Sequence, residues 1–412
     1  MATIHPRVAS RTLPSDTDIT GRNFGLEEAK NLQKVIESGA LNRANRTWVS
    51  EFEAEFCRRY RVDYTGCVSS GAAAIHTAIA AVNPEPGDEI ITTPITDMGA
   101  ITPIIYQAAI PIFADVDPQT LNIKAETIEA RITKRTRAII VTHLFGNVCD
   151  MDPILELAAA HGIPVIEDAA HALFSAYKGR RAGTLGDIGC FSLHQSKHMT
   201  AGEGGFVVTN NDRYAHHMKL FVDGGWESDG ALPNQQVLAM NYHMTELQGA
   251  VALAQFNKVE RVIQARVKNA ALMDTLISGL TGVSPPATTP HSRHVYQKYP
   301  LGIDEKEVPG GVDEFSRMLK EQGIWSAPGH IRKPAFMSEF IREQRTFGNS
   351  GFPFRGPHRR GLPAIKYRLE DYPGTTEALA RVCVLPWNEF YTEDDVRYIA
   401  DATIETLSEL RG

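Results

Sequence analysis

Apolar and polar positions along the chain alternate between a spacing typical of helices and short continuous runs typical of buried strands. Helical spacing occurs over 26–38, 49–60, 72–82 and 154–160. Runs rich in Ile and Val occur over 89–92, 111–113, 138–141, 163–166 and 206–209. Strands of this kind, separated by helices, form parallel sheets that are covered on both faces. The pattern therefore predicts an α/β fold.

The second half of the chain has a different organisation. A long helical pattern over 246–280 is wide enough to bridge two domains, and a Pro-rich break follows at 284–294. Beyond the break the pattern predicts a strand and two helices, over 295–301, 312–322 and 394–407. Segment 340–375 is rich in Arg, Gly and Pro and predicts surface loops. We predict three parts: an extended N-terminal arm (1–22), a large domain (23–260) and a small domain (261–412).

Composition excludes several classes of protein. The 412 residues are 43% hydrophobic with a net charge of −7, which favours a globular protein and argues against nucleic-acid binding. The five cysteines are scattered without a Cys-x-x-Cys pair, which indicates a reducing compartment. No leader pattern and no apolar stretch of about 18 residues is present, so we expect a cytoplasmic protein without a membrane span. The His and Cys residues lack metal-ligand spacing.

The segment VSSGAAAIHTAIAA at 68–81 predicts a strand that turns at once into a helix. Such a junction directs free backbone N–H groups, and the positive end of the helix, toward a phosphate. An ordinary strand-to-helix turn explains the same pattern. The segment alone therefore leaves a phosphate site and a plain turn both open.

Two further segments place reactive side chains near strand ends. In PVIEDAAHALF, Asp168 and His171 follow a strand, where α/β sheets bind ligands, although an Asp here also suits a helix N-cap. In GDIGCFSLHQSKHMTAGEGG, Lys197 lies between two predicted strands. If its amine is desolvated, Lys197 can act as a Schiff-base nucleophile. The alternative interpretation is an ordinary solvated lysine without a catalytic role.

Together the motifs SSGAAAIHTAI, IEDAAHA, GDIGCFSLHQSKHMTAGEGG and NYHMTELQGA resemble the DegT/StrS-type sugar aminotransferases, a branch of the fold-type I enzymes that use pyridoxal 5′-phosphate (PLP). The wording of HMTAGEGG is nearest to members that act on cyclitols or aminohydroxybenzoate precursors. The resemblance implies a large domain with a mixed, mostly parallel sheet sandwiched by helices. It also implies a smaller C-terminal α+β domain.

The resemblance implies catalytic roles for three residues. Lys197 is the Schiff-base lysine, Asp168 pairs with the pyridine nitrogen, and His171 lies near the phenolic oxygen. Further contacts to the cofactor are implied for Ser70, Gly71, Ala72, Asp97, Ser192 and Asn241. In the family the asparagine comes from the neighbouring subunit, which implies a homodimer with shared active sites.

The chain departs from the family pattern at three positions. Ala72 stands where a threonine is usual, so a hydroxyl is lost, and His243 stands in place of an arginine. Asp97 stands where an aromatic residue usually stacks on the pyridine ring. Either Asp97 faces the substrate or the register is displaced by a residue or two. His330 and Arg332 are candidate substrate contacts by position.

The resemblance implies that an amino group moves from L-glutamate or L-glutamine to a keto-sugar or ketocyclitol by ping-pong chemistry. One alternative is a PLP-dependent sugar dehydratase, but such relatives replace the lysine with histidine. Another is a non-catalytic regulatory homologue that binds PLP or sugar. A nicotinamide-linked oxidoreductase requires a G-x-G-x-x-G turn after the first strand, and SSGAAA lacks it.

Overall fold

The computed structural model describes residues 11–43, 47–227 and 234–412. Residues 1–10 of the predicted arm lie outside the described residues. The helices are α1 (Leu26–Ser38), α2 (Trp48–Tyr60), α3 (Gly71–Val82), α4 (Thr102–Tyr106), α5 (Ala125–Glu129), α6 (Met151–His161), α7 (Asp212–Val222), α8 (Glu246–Leu276), α9 (Gly311–Glu321), α10 (Glu339–Arg342), α11 (Pro373–Arg381) and α12 (Glu393–Arg411).

A seven-stranded sheet lies at the centre of the large domain. Its strands are β1 (Tyr64–Val68), β2 (Glu89–Thr92), β3 (Ile110–Phe113), β4 (Thr136–Thr142), β5 (Val165–Asp168), β6 (Ile188–Ser192) and β7 (Gly205–Thr209). Their spatial order is β1-β7-β6-β5-β4-β2-β3. Strand β7 runs antiparallel to both of its neighbours, and the other pairs are parallel. The sheet is thus mixed and mostly parallel, as expected for fold-type I enzymes.

Strand β5 begins two residues later than the hydrophobic run at 163–166 predicts. The backbone N–H of Ile163 donates to the carbonyl of Ala158 at 2.9 Å, which closes the end of α6 after Gly162 in the left-handed conformation. Pro164 then has no N–H to donate to a strand ladder. Because of this shift, Asp168 is the last residue of β5.

The second domain has a four-stranded antiparallel sheet. Its strands, in spatial order, are β8 (Val283–Ser284), β9 (Lys298–Ile303), β11 (Val382–Pro386) and β10 (Ala327–Pro328). The prediction of a strand from residue 295 was wrong for its first three positions. Tyr296 has a positive φ of 48°, and Val295 and Gln297 donate instead to the loop after β4. These two hydrogen bonds hold the loop over 295–297 against the large domain, and so bring Gln297 and Lys298 toward it.

Helix α8 contributes to two hydrophobic cores. Residues up to Ile263 pack into the core of the large domain, and residues from Ala270 onward pack into the core of the small one. The helix stops at Leu276, before the predicted end at 280, and Gly279 takes up the left-handed conformation just beyond it. A domain boundary at residue 260 stays a prediction. Trp387 is fully buried in the second core.

Segment 340–375 is largely irregular, but it is not confined to the surface as predicted. Phe354 and Tyr372 are buried in an aromatic cluster with Phe113 of β3. The hydroxyl of Tyr367 donates to the carbonyl of Pro111 at 2.6 Å. All five cysteines are free thiols. Within the described ranges, every helix is too short or too polar to cross a bilayer.

Candidate active site

A cavity of about 470 Å³ opens at the carboxyl edge of the central sheet. The parallel strands end there, which is the edge where open α/β sheets bind ligands. Eight of the nine predicted site residues line it: Ser70, Gly71, Ala72, Asp97, Asp168, His171, Ser192 and Lys197. The exception is Asn241. Four segments far apart in sequence therefore meet in one pocket.

The N-terminus of α3 forms one wall. Ser70 is its N-cap, and the hydroxyl accepts the N–H of Ala73 at 3.1 Å. The first N–H groups of a helix have no partner within it, so those of Gly71 and Ala72 face the pocket edge. A Cβ on Gly71 would lie 2.8 Å from the Cβ of Ser192. Glycine is needed here because α3 and the end of β6 approach so closely.

Lys197 lies in the turn between β6 and β7, and its backbone is held at both ends. Its N–H donates to the carbonyl of His194 at 3.0 Å, and its carbonyl accepts from Nη1 of Arg22 at 2.8 Å. Burial lowers the pKa of the Lys197 amine to about 8, and the carboxylates of Asp168 and Asp97 oppose that shift. An amine in this state is a nucleophile near neutral pH.

Two neighbouring carboxylates at the end of β5 have separate surroundings because successive strand residues face opposite sides. Glu167 is fully buried, and its oxygens accept three backbone N–H groups, those of Gly183, Leu185 and Gly186, at 2.6–2.7 Å. His143 lies 2.8 Å away from the same carboxylate. Glu167 therefore has a structural role: it fixes the loop that follows β5.

Asp168 faces the pocket instead. Its carboxylate accepts the N–H of Ala170 at 3.1 Å, and turns rather than a helix follow it. Burial raises the pKa of Asp168, while this hydrogen bond and the charge of Lys197 lower it. The helix-cap interpretation does not apply. A buried carboxylate facing a cavity favours a ligand with a positive charge or a proton to donate.

The ring of His171 has a defined orientation and a defined protonation state. Its Nδ1 accepts the backbone N–H of Phe145 at 3.3 Å, and the ring lies parallel to that of Phe145. Burial, with the nearby charge of Lys197, holds the pKa of His171 well below its usual value. The neutral ring has its proton on Nε2, because Nδ1 is the acceptor.

Asp97 faces the pocket and is exposed. Its carboxylate accepts the N–H of Gly99 at 2.7 Å and caps a 3₁₀ turn over Met98–Ala100. Asp97 therefore lines the pocket, and whether it faces the substrate stays a prediction. Among the described lining residues there is no Phe, Tyr or Trp to stack on a flat ring.

Asn241 lies on the surface, outside the pocket of its own chain. Its side-chain oxygen accepts the N–H of His243, and the His243 ring lies 3.0 Å from a carboxylate oxygen of Asp223. The apolar side chains of Leu238 and Met240, next to it, are 98% and 57% exposed. Asn241 therefore does not line the pocket of its own chain, and its contact with the cofactor stays a prediction.

Four further residues were either missed by the motif analysis or predicted from their position alone, and the structure shows where each lies. Gln297 and Lys298 line the pocket, although nothing in their local sequence distinguishes them. His330 lines it as well, and burial lowers its pKa to about 4. The exposed side chain of Arg332 pairs with Asp313 at 3.2 Å and lies outside the lining, so its contact with substrate stays a prediction.

The sheet order, the helix terminus and the half-buried lysine near a carboxylate agree with the expected fold of type I aminotransferases. The chain belongs to the DegT/DnrJ/EryC1/StrS aminotransferase family, whose profile matches residues 23–353. It is an enzyme of the aminotransferase class.

Similar proteins include two curated relatives. The chain is 36% identical over 300 residues to GDP-perosamine synthase of Caulobacter vibrioides, covering 70% of this chain and 79% of that protein. It is 31% identical over 393 residues to the spore coat polysaccharide biosynthesis protein SpsC of Bacillus subtilis, covering 92% and 94%. Among solved structures, an aminotransferase from Psychrobacter cryohalolentis aligns with a TM-score of 0.84 and 27% identity, covering 95% and 99%.

Proposed function

We propose that the pocket binds PLP and uses it to move an amino group from an amino acid to a keto-sugar. The observation that supports this most directly is the meeting of Lys197 and Asp168 in one cavity with the N-terminus of α3. The fold family implies PLP, so the residues present must suit each part of that cofactor.

The residues suit PLP in three places. The free N–H groups of Gly71 and Ala72, with the hydroxyl of Ser192, would hold the phosphate at the helix N-terminus. Asp168, whose pKa is raised by burial, would accept a hydrogen bond from the pyridine nitrogen. The Nε2–H of His171, whose Nδ1 accepts the N–H of Phe145, would donate to the phenolic oxygen. Asp97 is proposed to lie beside the ring, where it would face the substrate.

When bound, the cofactor would supply an aldehyde that takes up amines and a ring that accepts electrons. The chain would supply the rest. Lys197 would hold the cofactor through Nζ and, once released by the amino donor, would move a proton to and from the donor's α-carbon. Asp168 would keep the ring nitrogen protonated, and the buried pocket would exclude water.

Donor and acceptor would use this one pocket in turn, which gives ping-pong kinetics. We propose L-glutamate or L-glutamine as the donor. For the acceptor we propose a keto-sugar or ketocyclitol, and the name of the relative GDP-perosamine synthase supports a sugar joined to a nucleotide. We also propose a homodimer in which Asn241 of each subunit reaches the partner's pocket, because Leu238 and Met240 beside it are exposed.

The test is the absorption spectrum of the purified protein with PLP, recorded before and after addition of L-glutamate or L-glutamine. Wild type is expected to show the visible band of the lysine-bound cofactor, and the correct donor should bleach it. Lys197→Ala should show neither the band nor the bleaching. The absence of the band in wild type, or a band that no amino acid changes, would contradict an aminotransferase and favour a regulatory protein or a dehydratase.

A further inference from the structure

A buried cluster of charges lies behind the pocket wall formed by Gln297 and Lys298. Arg266 is fully buried and lies 2.7 Å from Glu389 and 3.2 Å from Asp16. The carboxylate of Asp16 also lies 3.6 Å from Arg22 and 3.5 Å from Nζ of Lys298. Three cations therefore face two carboxylates, and one positive charge is not balanced within the cluster.

The unbalanced charge lies on the pocket side. The side chains of Arg22 and Arg266 are 2% and 0% exposed, whereas that of Lys298 is 22% exposed and lines the cavity. Lys298 is also the first residue of β9, so its backbone is fixed by pairing with Pro386. Arg266 is the closer partner of Asp16, which leaves Lys298 with a weak contact.

The pocket offers few other positive charges to an anionic ligand. Lys197 is the reacting amine. The rings of His171 and His330 are neutral at pH 7, because burial lowers the pKa of each. His194 is exposed and lies 3.9 Å from Glu203. Among the lining residues that the structure describes, no arginine is present, and Lys298 is the remaining cation. Burial lowers the pKa of Lys298, and the charge of Asp16 opposes that shift.

We propose that Lys298 binds the α-carboxylate of the amino donor; the proposal rests on the aminotransferase function proposed above. In an amino acid this carboxylate is one bond from the carbon that bears the reacting amine. Its binding group must therefore lie in the same cavity as Lys197, as Lys298 does, close enough that, besides burial, its charge lowers the pKa of Lys197. A carboxylate and an ammonium group form a charge-assisted hydrogen bond, which is strengthened by partial burial.

The weak contact with Asp16 serves the second half of the reaction. A keto-sugar has no carboxylate at the reacting carbon, so its binding would leave Lys298 without an anion. Asp16, 3.5 Å away, is a resting partner for that step. One lysine thus accommodates an amino acid and a neutral sugar in turn, and the enzyme selects amino acids over simple amines.

The experiment compares Lys298→Met and Lys298→Arg with wild type, and uses Lys306→Met, an exposed lysine beyond β9, as the matched control. Lys298→Met should raise KM for the donor and the inhibition constant of glutarate, a non-reacting dicarboxylate, by about 10- to 100-fold. Lys298→Arg should retain most of the affinity. Inhibition by a nucleoside diphosphate should stay unchanged in every variant, because the proposal assigns Lys298 no contact with the phosphates of the acceptor.

Two results would overturn the assignment. One is an unchanged glutarate constant in Lys298→Met. The other is weakened nucleoside diphosphate binding with unchanged glutarate binding, which would assign Lys298 to the phosphates of the acceptor. Calorimetric titration of glutarate into the PLP-loaded protein measures the same site without turnover. If wild type transaminates no amino acid, the proposed function fails, but the titration still decides whether Lys298 binds a carboxylate.

Discussion

Nη1 of Arg22 donates a hydrogen bond to the backbone carbonyl of Lys197 at 2.8 Å, across 175 positions of sequence. The Nε of Arg22 donates to the carbonyl of Asp16 at 3.0 Å, so the N-terminal segment and the lysine turn are held together by one guanidinium group. The side chain is only 2% exposed. Arg22 therefore fixes the backbone from which the reactive amine extends.

Replacing Arg22 with Met should destabilise the protein by about 2–4 kcal/mol, because its charged hydrogen bonds to the carbonyls of Lys197 and Asp16 are lost. Urea unfolding of the cofactor-free protein measures this. Arg58→Met is the control, since that arginine is 70% exposed and its pair with Glu55 contributes about 0–1 kcal/mol. Equal stability of the two variants would contradict the role of Arg22.

The rate of PLP binding to the cofactor-free protein should depend on pH through Lys197. Only the neutral amine attacks an aldehyde, and burial lowers the pKa of Lys197 to about 8. The rate should therefore rise with pH to a plateau, with a midpoint near 8 rather than near the 10.5 of an ordinary lysine. Stopped-flow absorbance measures it.

Asp97→Asn provides the matched variant for that measurement. The Asp97 carboxylate raises the pKa of Lys197, so its removal should move the midpoint to lower pH. Asparagine retains an oxygen for the N–H of Gly99, so the local turn is preserved. A midpoint that stays in place, or moves upward, would show that Asp97 does not act on the lysine.

Gly71→Ala should weaken PLP binding by about tenfold or more, because overpacking shifts a close contact. The added Cβ would lie 2.8 Å from the Cβ of Ser192 and 3.0 Å from its hydroxyl oxygen. Gly25→Ala is the control, since a Cβ there meets nothing within 4 Å. Fluorescence titration with PLP gives both constants, and similar values would refute a close-packed phosphate site.

Asn241→Ala and Lys197→Ala should complement one another. If each site takes its lysine from one subunit and its asparagine from the other, a mixed dimer has one site with both residues intact. Each variant alone should be nearly inactive, and refolding the two together should restore activity. Activity of Asn241→Ala alone equal to wild type would remove this residue from the site.

The sequence pattern predicted elements best where local chemistry and tertiary packing agree. Helix α1 has the predicted bounds, because its apolar spacing ends where Gly39 adopts the left-handed conformation. The first residues of the runs at 163 and 295 were wrongly predicted as strand, because their backbone N–H groups donate to carbonyls outside the sheet. Apolar composition alone does not distinguish a strand from the residues that cap the C-terminus of a helix or from a loop bonded to another segment.

The residues of the candidate site also differ in whether local sequence predicts them. Asp168, His171, Ser192 and Lys197 lie in compact motifs whose order is visible in the sequence. Residues such as Lys298 and His330 reach the pocket from the second domain, and no local pattern marks them. Their positions depend on how two domains dock along α8, which only the tertiary structure provides.

The carboxylate of Asp16 accepts from the side chain of Asn388 at 2.6 Å, across 372 positions. The lysine turn is thus held by an N-terminal segment that is itself anchored by Asn388. During synthesis Asn388 emerges after every residue that lines the pocket. We expect the nascent polypeptide to lack a finished site until Asn388 has left the ribosome, so binding of the proposed cofactor would report that this late contact has formed.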